Sequence, residues 1–328
     1  MPDIASSPAP AKLRGRPVID PVCMDLRRGN FPDQVLFHAP GLRRYRTSEF
    51  SVHDAAEFVS ISVTGTACAL SCEHCATNML VGMADLPSTG GSLYELCAGL
   101  AERGARGVLV SGGSDLQGRV PLGPHISDMV RVRRELGLTL RVHPGLPDER
   151  VCAGLAEVGI DGAMVDIIGH QDTINDVYHM QATPRDYEDV LERLARHGVP
   201  TIPHIILGLH FGRMLGEQSA LEMIARHPPK VLVLVALMPL SGTPMRQCEP
   251  PPLTEIGPFF EQARKALPTT PVMLGCARPL GPDKIAIDQM ALEAGFNGIA
   301  YPSDGIVEHA RLLGLEPEFI NACCGVQW

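Results

Sequence analysis

Three cysteines stand close together in the segment Cys68-Ala-Leu-Ser-Cys72-Glu-His-Cys75. The segment follows an apolar run at residues 58–63, which has the composition of a buried strand. Thiolates are the usual protein ligands of iron–sulfur clusters, so this loop can hold three corners of a four-iron cluster. The fourth iron would then have no ligand from the loop, which makes it a place for chemistry.

A zinc knuckle is the main alternative for these thiols. Structural zinc prefers four ligands in a closed tetrahedral site. His74 stands between two of the thiols in the sequence and is poorly placed to close such a site. The sequence therefore favours an iron–sulfur cluster over zinc.

Composition limits the classes of function. The chain has 328 residues, of which 45 % are hydrophobic, enough for one large α/β domain with a sizeable core. Its net charge is −9 and it has no basic run, so no nucleic-acid partner is expected. No apolar stretch reaches about 18 residues, so no membrane span is expected. Ten cysteines without a secretory signal favour a reducing compartment, and the predicted location is cytoplasmic.

Short apolar runs alternate with helical patterns through most of the chain. Strands that are apolar on both faces indicate a parallel sheet covered on both sides. Eight such units predict a (β/α)8 TIM-type barrel over residues 57–310; a six-unit partial barrel with a C-terminal subdomain is the runner-up. The predicted strands are 58–63, 107–111, 138–142, 162–168, 201–207, 230–237, 271–275 and 298–301.

Three further segments flank the predicted barrel. Residues 1–17 are rich in Pro, Ala and Ser and are expected to be a disordered arm. Residues 18–56 form an N-terminal extension of mixed character. Residues 311–328 form a C-terminal tail that carries a cysteine pair.

Active sites of such barrels lie at the carboxyl ends of the strands. The second predicted strand ends in Ser111-Gly112-Gly113, where glycines allow the backbone to approach a ligand closely. Asp166 lies in the fourth predicted strand, where the burial of a carboxylate costs free energy unless the carboxylate has a partner. These residues are therefore candidates for binding a ligand.

The remaining cysteines divide into two kinds. Cys97 and Cys152 fall on the apolar faces of predicted helices, which is typical of buried structural thiols. Among the others, Cys276 lies at the end of a predicted strand. Cys323 and Cys324 are adjacent in the tail, and a vicinal disulfide between them is one interpretation. The sharper hypothesis is a second iron–sulfur cluster that is held by Cys276, Cys323 and Cys324. Its fourth ligand would be either Cys23 or Cys248.

The cysteine loop, the Gly-Gly segment and Ile206-Leu207-Gly208-Leu209 resemble the radical S-adenosylmethionine (SAM) superfamily, and more closely its biotin-synthase-like branch. The resemblance implies that Cys68, Cys72 and Cys75 hold a 4Fe–4S cluster whose open iron binds SAM. An electron donor such as ferredoxin or flavodoxin would then allow cleavage of SAM to methionine and a 5′-deoxyadenosyl radical. The implied cofactor-binding residues are His74, Ser111, Gly112, Gly113, Asp166 and Gly208.

The tail pair and the segment Gly275-Cys276-Ala-Arg278-Pro279 resemble subunits of the two-protein lipoyl synthases. This implies insertion of sulfur into a protein-bound octanoyl group, with the second cluster as sulfur donor. The implied partners are a second radical SAM subunit and an octanoylated lipoyl-carrier protein. A single-cluster mutase or maturase, similar to methylornithine synthase or the hydrogenase maturases, is one alternative. A non-enzymatic iron–sulfur electron-transfer or scaffold protein is another, but it would need no SAM pocket.

Overall fold

The computed structural model describes residues 16–39, 47–49 and 57–326. The predicted disordered arm therefore lies almost wholly outside the described residues. Part of the predicted N-terminal extension and the last two residues of the predicted tail also lie outside them.

The described residues form one curled sheet in which all neighbouring strands run parallel. The strands are β1 (Gln34–His38), β2 (Phe58–Ser62), β3 (Ala84–Asp85), β4 (Gly107–Ser111), β5 (Thr139–Val142), β6 (Gly162–Asp166), β7 (Thr201–Leu207), β8 (Leu232–Ala236), β9 (Val272–Leu274), β10 (Gly298–Ala300) and β11 (Glu316–Ile320). Their order across the sheet is β11-β1-β10-β9-β8-β7-β6-β5-β4-β2-β3.

The predicted α/β fold of TIM type is confirmed. All eight predicted runs become strands of this sheet, as β2 and β4 to β10. The sheet is open within the described residues, because β10 pairs with β1 rather than with β2. Two strands that were not predicted, β1 and β11, therefore extend the sheet beyond β10.

Helices cover the outer face of the sheet, and some of them begin at residues that suit the free backbone amides of a first turn. Ser92 and Glu95 form a capping box at the start of α4, and Pro184 occupies the first position of α8. The helices are α1 (Val22–Asn30), α2 (Asn78–Val81), α3 (Leu86–Thr89), α4 (Leu93–Glu102), α5 (Ile126–Arg131), α6 (Glu149–Val158), α7 (Gln171–Thr173), α8 (Pro184–Arg196), α9 (Glu217–Arg226), α10 (Leu253–Ala266), α11 (Pro282–Glu293) and α12 (Ile306–Leu312).

The apolar residues form two cores. The larger one packs the helices against the sheet. The smaller one, here called the inner cluster, comprises Leu36, Phe58, Met164, Ile202, Val231, Val233, Val235, Met273, Ala300, Ile320, Ala322, Cys324 and Val326. Its last three members belong to residues 321–326, here called the inner tail, so the end of the predicted tail packs with residues of the sheet instead of lying exposed.

Among the residues that the structure describes, no helix combines the length and the apolar character needed to cross a membrane.

Candidate active site

The cysteine loop follows β2 and gathers thiols at the carboxyl end of the sheet. The ligand atoms of Cys72, His74 and Cys75 all lie within 4.8 Å of one another. Cys68 lies on the other side of the loop, where its Sγ accepts a hydrogen bond from the Ser114 amide at 3.3 Å. The structure thus brings His74 close to two thiols, which the spacing alone did not predict.

The pair Cys72 and Cys75 shares a proton. A hydrogen bond from Cys72 lowers the pKa of Cys75 to about 7 despite burial, whereas the same bond and burial raise the pKa of Cys72. Thiolate is the form that binds metals. Cys75 is therefore the first of the two to offer a metal ligand near neutral pH.

The glycines after β4 support this loop by close packing. A Cβ atom on Gly113 would lie 2.0 Å from the Ala67 carbonyl oxygen and 2.6 Å from the Cys68 Cα. The Gly113 amide also donates to Thr64 Oγ1 at 2.7 Å. Any side chain at this position would push the loop away, so glycine fixes the place of Cys68.

Asp166 lies at the end of β6 beside two histidines from the neighbouring strands. Its Oδ2 is 3.7 Å from His143 Nε2, and the rings of His143 and His204 have centroids 6.5 Å apart. Burial alone would raise the pKa of Asp166, but His143, His204 and His74 lower it to about 2. Burial alone would lower the pKa of His143, but Asp166 raises it. The Asp166 carboxylate therefore stays ionised at neutral pH beside His143, and it can accept hydrogen bonds from a cationic ligand.

His74 is mostly enclosed and packs its ring 5.2 Å from the ring of Tyr178. Its buried Nδ1 has no hydrogen-bond partner among the described residues. Burial lowers the pKa of His74, and Asp166 only partly opposes this. A neutral aromatic ring thus faces the site at the position where the resemblance predicted one.

One cavity of about 550 Å³ joins these groups. Its lining includes the three loop cysteines, His74, the Ser111–Gly113 segment and Asp166, together with many apolar side chains. Gly208 is outside this lining; its amide donates to Glu217 Oε1 at 2.8 Å and its α-carbon faces Pro251. The structure thus gathers every predicted cofactor-binding residue except Gly208.

A second group of thiols lies nearby. Cys276 follows β9 and lines the same cavity, while Cys323 and Cys324 belong to the inner tail. A hydrogen bond from Cys324 lowers the pKa of Cys323, which also lies near Arg141 and His143. The pKa of Cys324 is raised, first by that bond and then by burial, and Cys276 is close enough to add to the rise. All ten cysteines of the chain are described, and each is a thiol.

The two predicted candidates for a fourth ligand are not brought to this group. Cys23 lies on α1, which packs against α10, and its Sγ is 4.0 Å from the Glu261 carbonyl oxygen. Cys248 packs against the outer core in the loop after β8. The described part of the N-terminal extension enters the sheet as β1 and places Cys23 beside α10 rather than beside the other three thiols.

Sequence reasoning also missed polar residues on the inner face of the sheet. Arg141 and His143 alternate at the end of β5, and Arg141 Nη2 donates to the Gly325 carbonyl at 2.9 Å. Two polar residues spaced by two in a buried strand point to the same face, which was the available signal. His38 of β1 was missed because its strand was missed.

Comparison with known proteins agrees with this geometry. Residues 62–213 match the Radical SAM superfamily. The biotin synthase of Halorhodospira halophila (strain DSM 244 / SL1) is 28 % identical over 292 residues, covering 81 % of both chains. That of Bordetella avium (strain 197N) is 29 % identical over 182 residues, covering 54 % of both chains.

Solved structures show the same fold. Methylornithine synthase superposes with a TM-score of 0.60 at 15 % identity, covering 90 % of this chain and 87 % of that one. A maturase of the FeFe-hydrogenase superposes with a TM-score of 0.58 at 14 % identity, covering 90 % of this chain and 68 % of that one. The predicted resemblance to the biotin-synthase-like branch is confirmed.

Proposed function

We propose that this chain, which belongs to the radical SAM superfamily on its biotin-synthase-like branch, inserts sulfur into unactivated C–H bonds of a protein-bound octanoyl group. In this proposal it is one of two radical SAM subunits of a lipoyl synthase. The observation that carries the proposal is the second group of thiols, Cys276, Cys323 and Cys324, beside the cavity that holds the cysteine loop.

The residues around the cysteine loop fit the cofactors of the superfamily. Cys68, Cys72 and Cys75 would hold a 4Fe–4S cluster with one iron open to SAM. Once bound and reduced by one electron, this cluster allows cleavage of SAM to methionine and a 5′-deoxyadenosyl radical, which abstracts a hydrogen atom. The chain positions SAM: Asp166 would attract its cationic groups, and the ring of His74 would pack against its adenine.

The apolar part of the cavity lining suits an aliphatic substrate. Apolar side chains line it and offer no competing polar partner to an alkyl chain. Such a lining also excludes water from a radical, which protects it from side reactions. The side chains concerned are Leu70, Leu109, Ile206, Leu209, Val235, Leu237, Met238 and Leu240.

The second group of thiols would hold the sulfur source. Three cysteines at one place on the inner face of the sheet are a soft donor set suited to an iron–sulfur cluster. Cys276 lines the cavity, so a cluster that it helped to hold would lie near a carbon from which hydrogen has been removed. Each C–S bond would consume one SAM and one sulfide, and the irons of the second cluster would accept the electron released.

The proposed partners follow from this chemistry. A ferredoxin or flavodoxin would supply the electron for SAM cleavage. The substrate would be an octanoylated lipoyl-carrier protein, and the second subunit would insert the other sulfur. Both thiol groups require a reducing compartment, so we place the chain in the cytoplasm.

Counting iron and sulfide tests the proposal. The protein is purified and reconstituted without oxygen as the parent, as a Cys323→Ala/Cys324→Ala variant, and as Cys97→Ala, which removes a buried thiol of α4 outside both groups. We expect about eight irons in the parent and the control and about four in the double variant. Dithionite and SAM should release 5′-deoxyadenosine from all three forms.

The same preparations are then given an octanoyl-lysine peptide, and mass spectrometry looks for a thiolated product. The parent should yield it and the double variant should not. About four irons in every form would remove the sulfur source and favour a single-cluster mutase or maturase. Absence of SAM cleavage would leave the scaffold alternative.

A further inference from the structure

His38 is a buried imidazole of β1. It is the last residue of that strand and its side chain is fully buried. Within the described part of the chain its ring contacts the backbone of Ala322, but neither ring nitrogen makes a hydrogen bond of good geometry. Buried polar groups are almost always paired, and an exception calls for a specific explanation such as an absent ion.

The ring lies on the inner face of the sheet. His38 is opposite Ala300 of β10 and Ile320 of β11, and both of these belong to the inner cluster. Leu36, two residues earlier in the same strand, belongs to it as well. Side chains two residues apart in a strand share a face, so His38 faces the same interior.

The inner tail passes beside this ring. The backbone of Ala322 lies against His38, and Cys323 and Cys324 follow directly. Arg141 is also near the ring, and it holds the same tail through the Gly325 carbonyl. The ring therefore lies beside the segment that carries two of the three thiols in the second group.

Other inner histidines are already engaged. His143 forms an ion pair with Asp166, and His204 Nδ1 lies 3.0 Å from the Ile202 carbonyl oxygen.

We propose that His38 is the fourth protein ligand of the iron–sulfur cluster held by Cys276, Cys323 and Cys324. The inference rests on the second cluster of the proposed function. Histidine can replace cysteine as a ligand to a cluster iron, and it raises the reduction potential when it does. A histidine ligand would make the sulfur-donating cluster a better electron acceptor than an all-thiolate one, as sulfur insertion requires.

Pulsed electron paramagnetic resonance with histidine labelled with ¹⁵N tests this assignment. A Cys68→Ala/Cys72→Ala/Cys75→Ala background removes the first cluster, so that the reduced second cluster is observed alone. We expect a nitrogen coupling from histidine in this background. It should persist in His204→Gln and disappear in His38→Cys, which keeps the iron because a thiolate replaces the imidazole.

The potential gives a second readout. His38→Cys should lower the reduction potential of the second cluster, whereas His38→Ala should lose much of its iron. Coupling that persists in His38→Cys but is lost in His143→Gln would overturn the assignment. An iron-loaded background without histidine coupling would also overturn it and leave the proposed function standing. If the triple-alanine background is folded by circular dichroism but binds no iron, both the His38 assignment and the proposed function are overturned.

Discussion

Replacing Arg278 with lysine should loosen the segment that carries Cys276. Arg278 is 1 % exposed, and its guanidinium donates to Asp288 Oδ1 at 2.5 Å and to the carbonyls of Gly275 and Tyr301 at 2.8 Å each. Gly275 directly precedes Cys276, and Tyr301 directly follows β10. One side chain therefore joins the ends of two neighbouring strands beside a proposed cluster ligand.

The size of the effect follows from these contacts. Lysine keeps the positive charge beside Asp288 but cannot reproduce the planar fork of the guanidinium. Hydrogen bonds that involve a charged group contribute about 1.5–3 kcal/mol each, so losing the two carbonyl contacts costs about 3 kcal/mol at the low end. We take the low end because the Lys284 ammonium already bonds both Asp288 and the Tyr301 carbonyl. Because the unfolding entropy grows with chain length, the melting temperature should fall by roughly 4 °C.

Arg264→Lys is the matched control. Arg264 is also fully buried and donates to backbone carbonyls, including those of Thr270 at 3.1 Å and Gly295 at 2.9 Å. These residues precede β9 and β10, so this guanidinium lies at the opposite end of the same strands. Its loss should cost a similar free energy of unfolding without reaching Cys276.

The assay combines chemical denaturation with iron content and the spectrum of the second cluster. We expect both variants to lose stability, but only Arg278→Lys to lose second-cluster iron and to alter that spectrum. Equal iron and identical spectra in the two variants would refute the positioning role. An unchanged free energy of unfolding in Arg278→Lys would refute the reasoning about the buried contacts.

Two further predictions concern the first cluster and its surroundings. Gly113→Ala should displace the cysteine loop and lose about four irons, whereas Gly123→Ala, whose Cβ would meet nothing within 4 Å, should keep them; equal iron content in both would contradict the packing argument. The pKa of Asp166 is lowered to about 2, so its ionised form should stabilise the folded state by about 2 kcal/mol. This stabilisation should be present in full above about pH 4 and should disappear as the pH falls towards 2. The difference in unfolding free energy between the parent and Asp166→Asn should therefore narrow from neutral pH to about pH 3, and a constant difference would contradict the assigned pKa.

The parts of the structure that were predicted correctly depend on local sequence. The cysteine spacing is a property of one loop, and the buried parallel strands are apolar on both faces. β1 and β11 were missed for the opposite reason. β11 reads Glu-Pro-Glu-Phe-Ile and leaves most of its side chains exposed or partly exposed, so no apolar run marks it. Its stability as a strand comes from pairing with β1, which the sequence places far away.

The same distance limits what the sequence says about the second group of thiols. Choosing between Cys23 and Cys248 as a fourth ligand required knowing where the N-terminal extension enters the fold. Once residues 34–38 join the sheet as β1, α1 is placed beside α10, and Cys23 goes with it. The pairing of β1 with the sheet places Cys23 away from the other thiols, and it also brings His38 to the inner face of the sheet. No local pattern could reveal that exchange.

The inner face of the sheet carries polar side chains whose burial costs free energy, so their presence is informative about function. A barrel of this kind is usually filled by layers of branched apolar side chains. Here glycines leave room instead: a Cβ on Gly162 would lie 2.2 Å from Arg141 Nη1, and one on Gly298 would lie 2.3 Å from Met273 Cε. The space holds the guanidinium of Arg141 and the imidazole of His38, whose burial costs free energy in an apolar core, together with a pair of thiols. An apolar filling would be more stable, so this polar interior is better explained by a group that it binds.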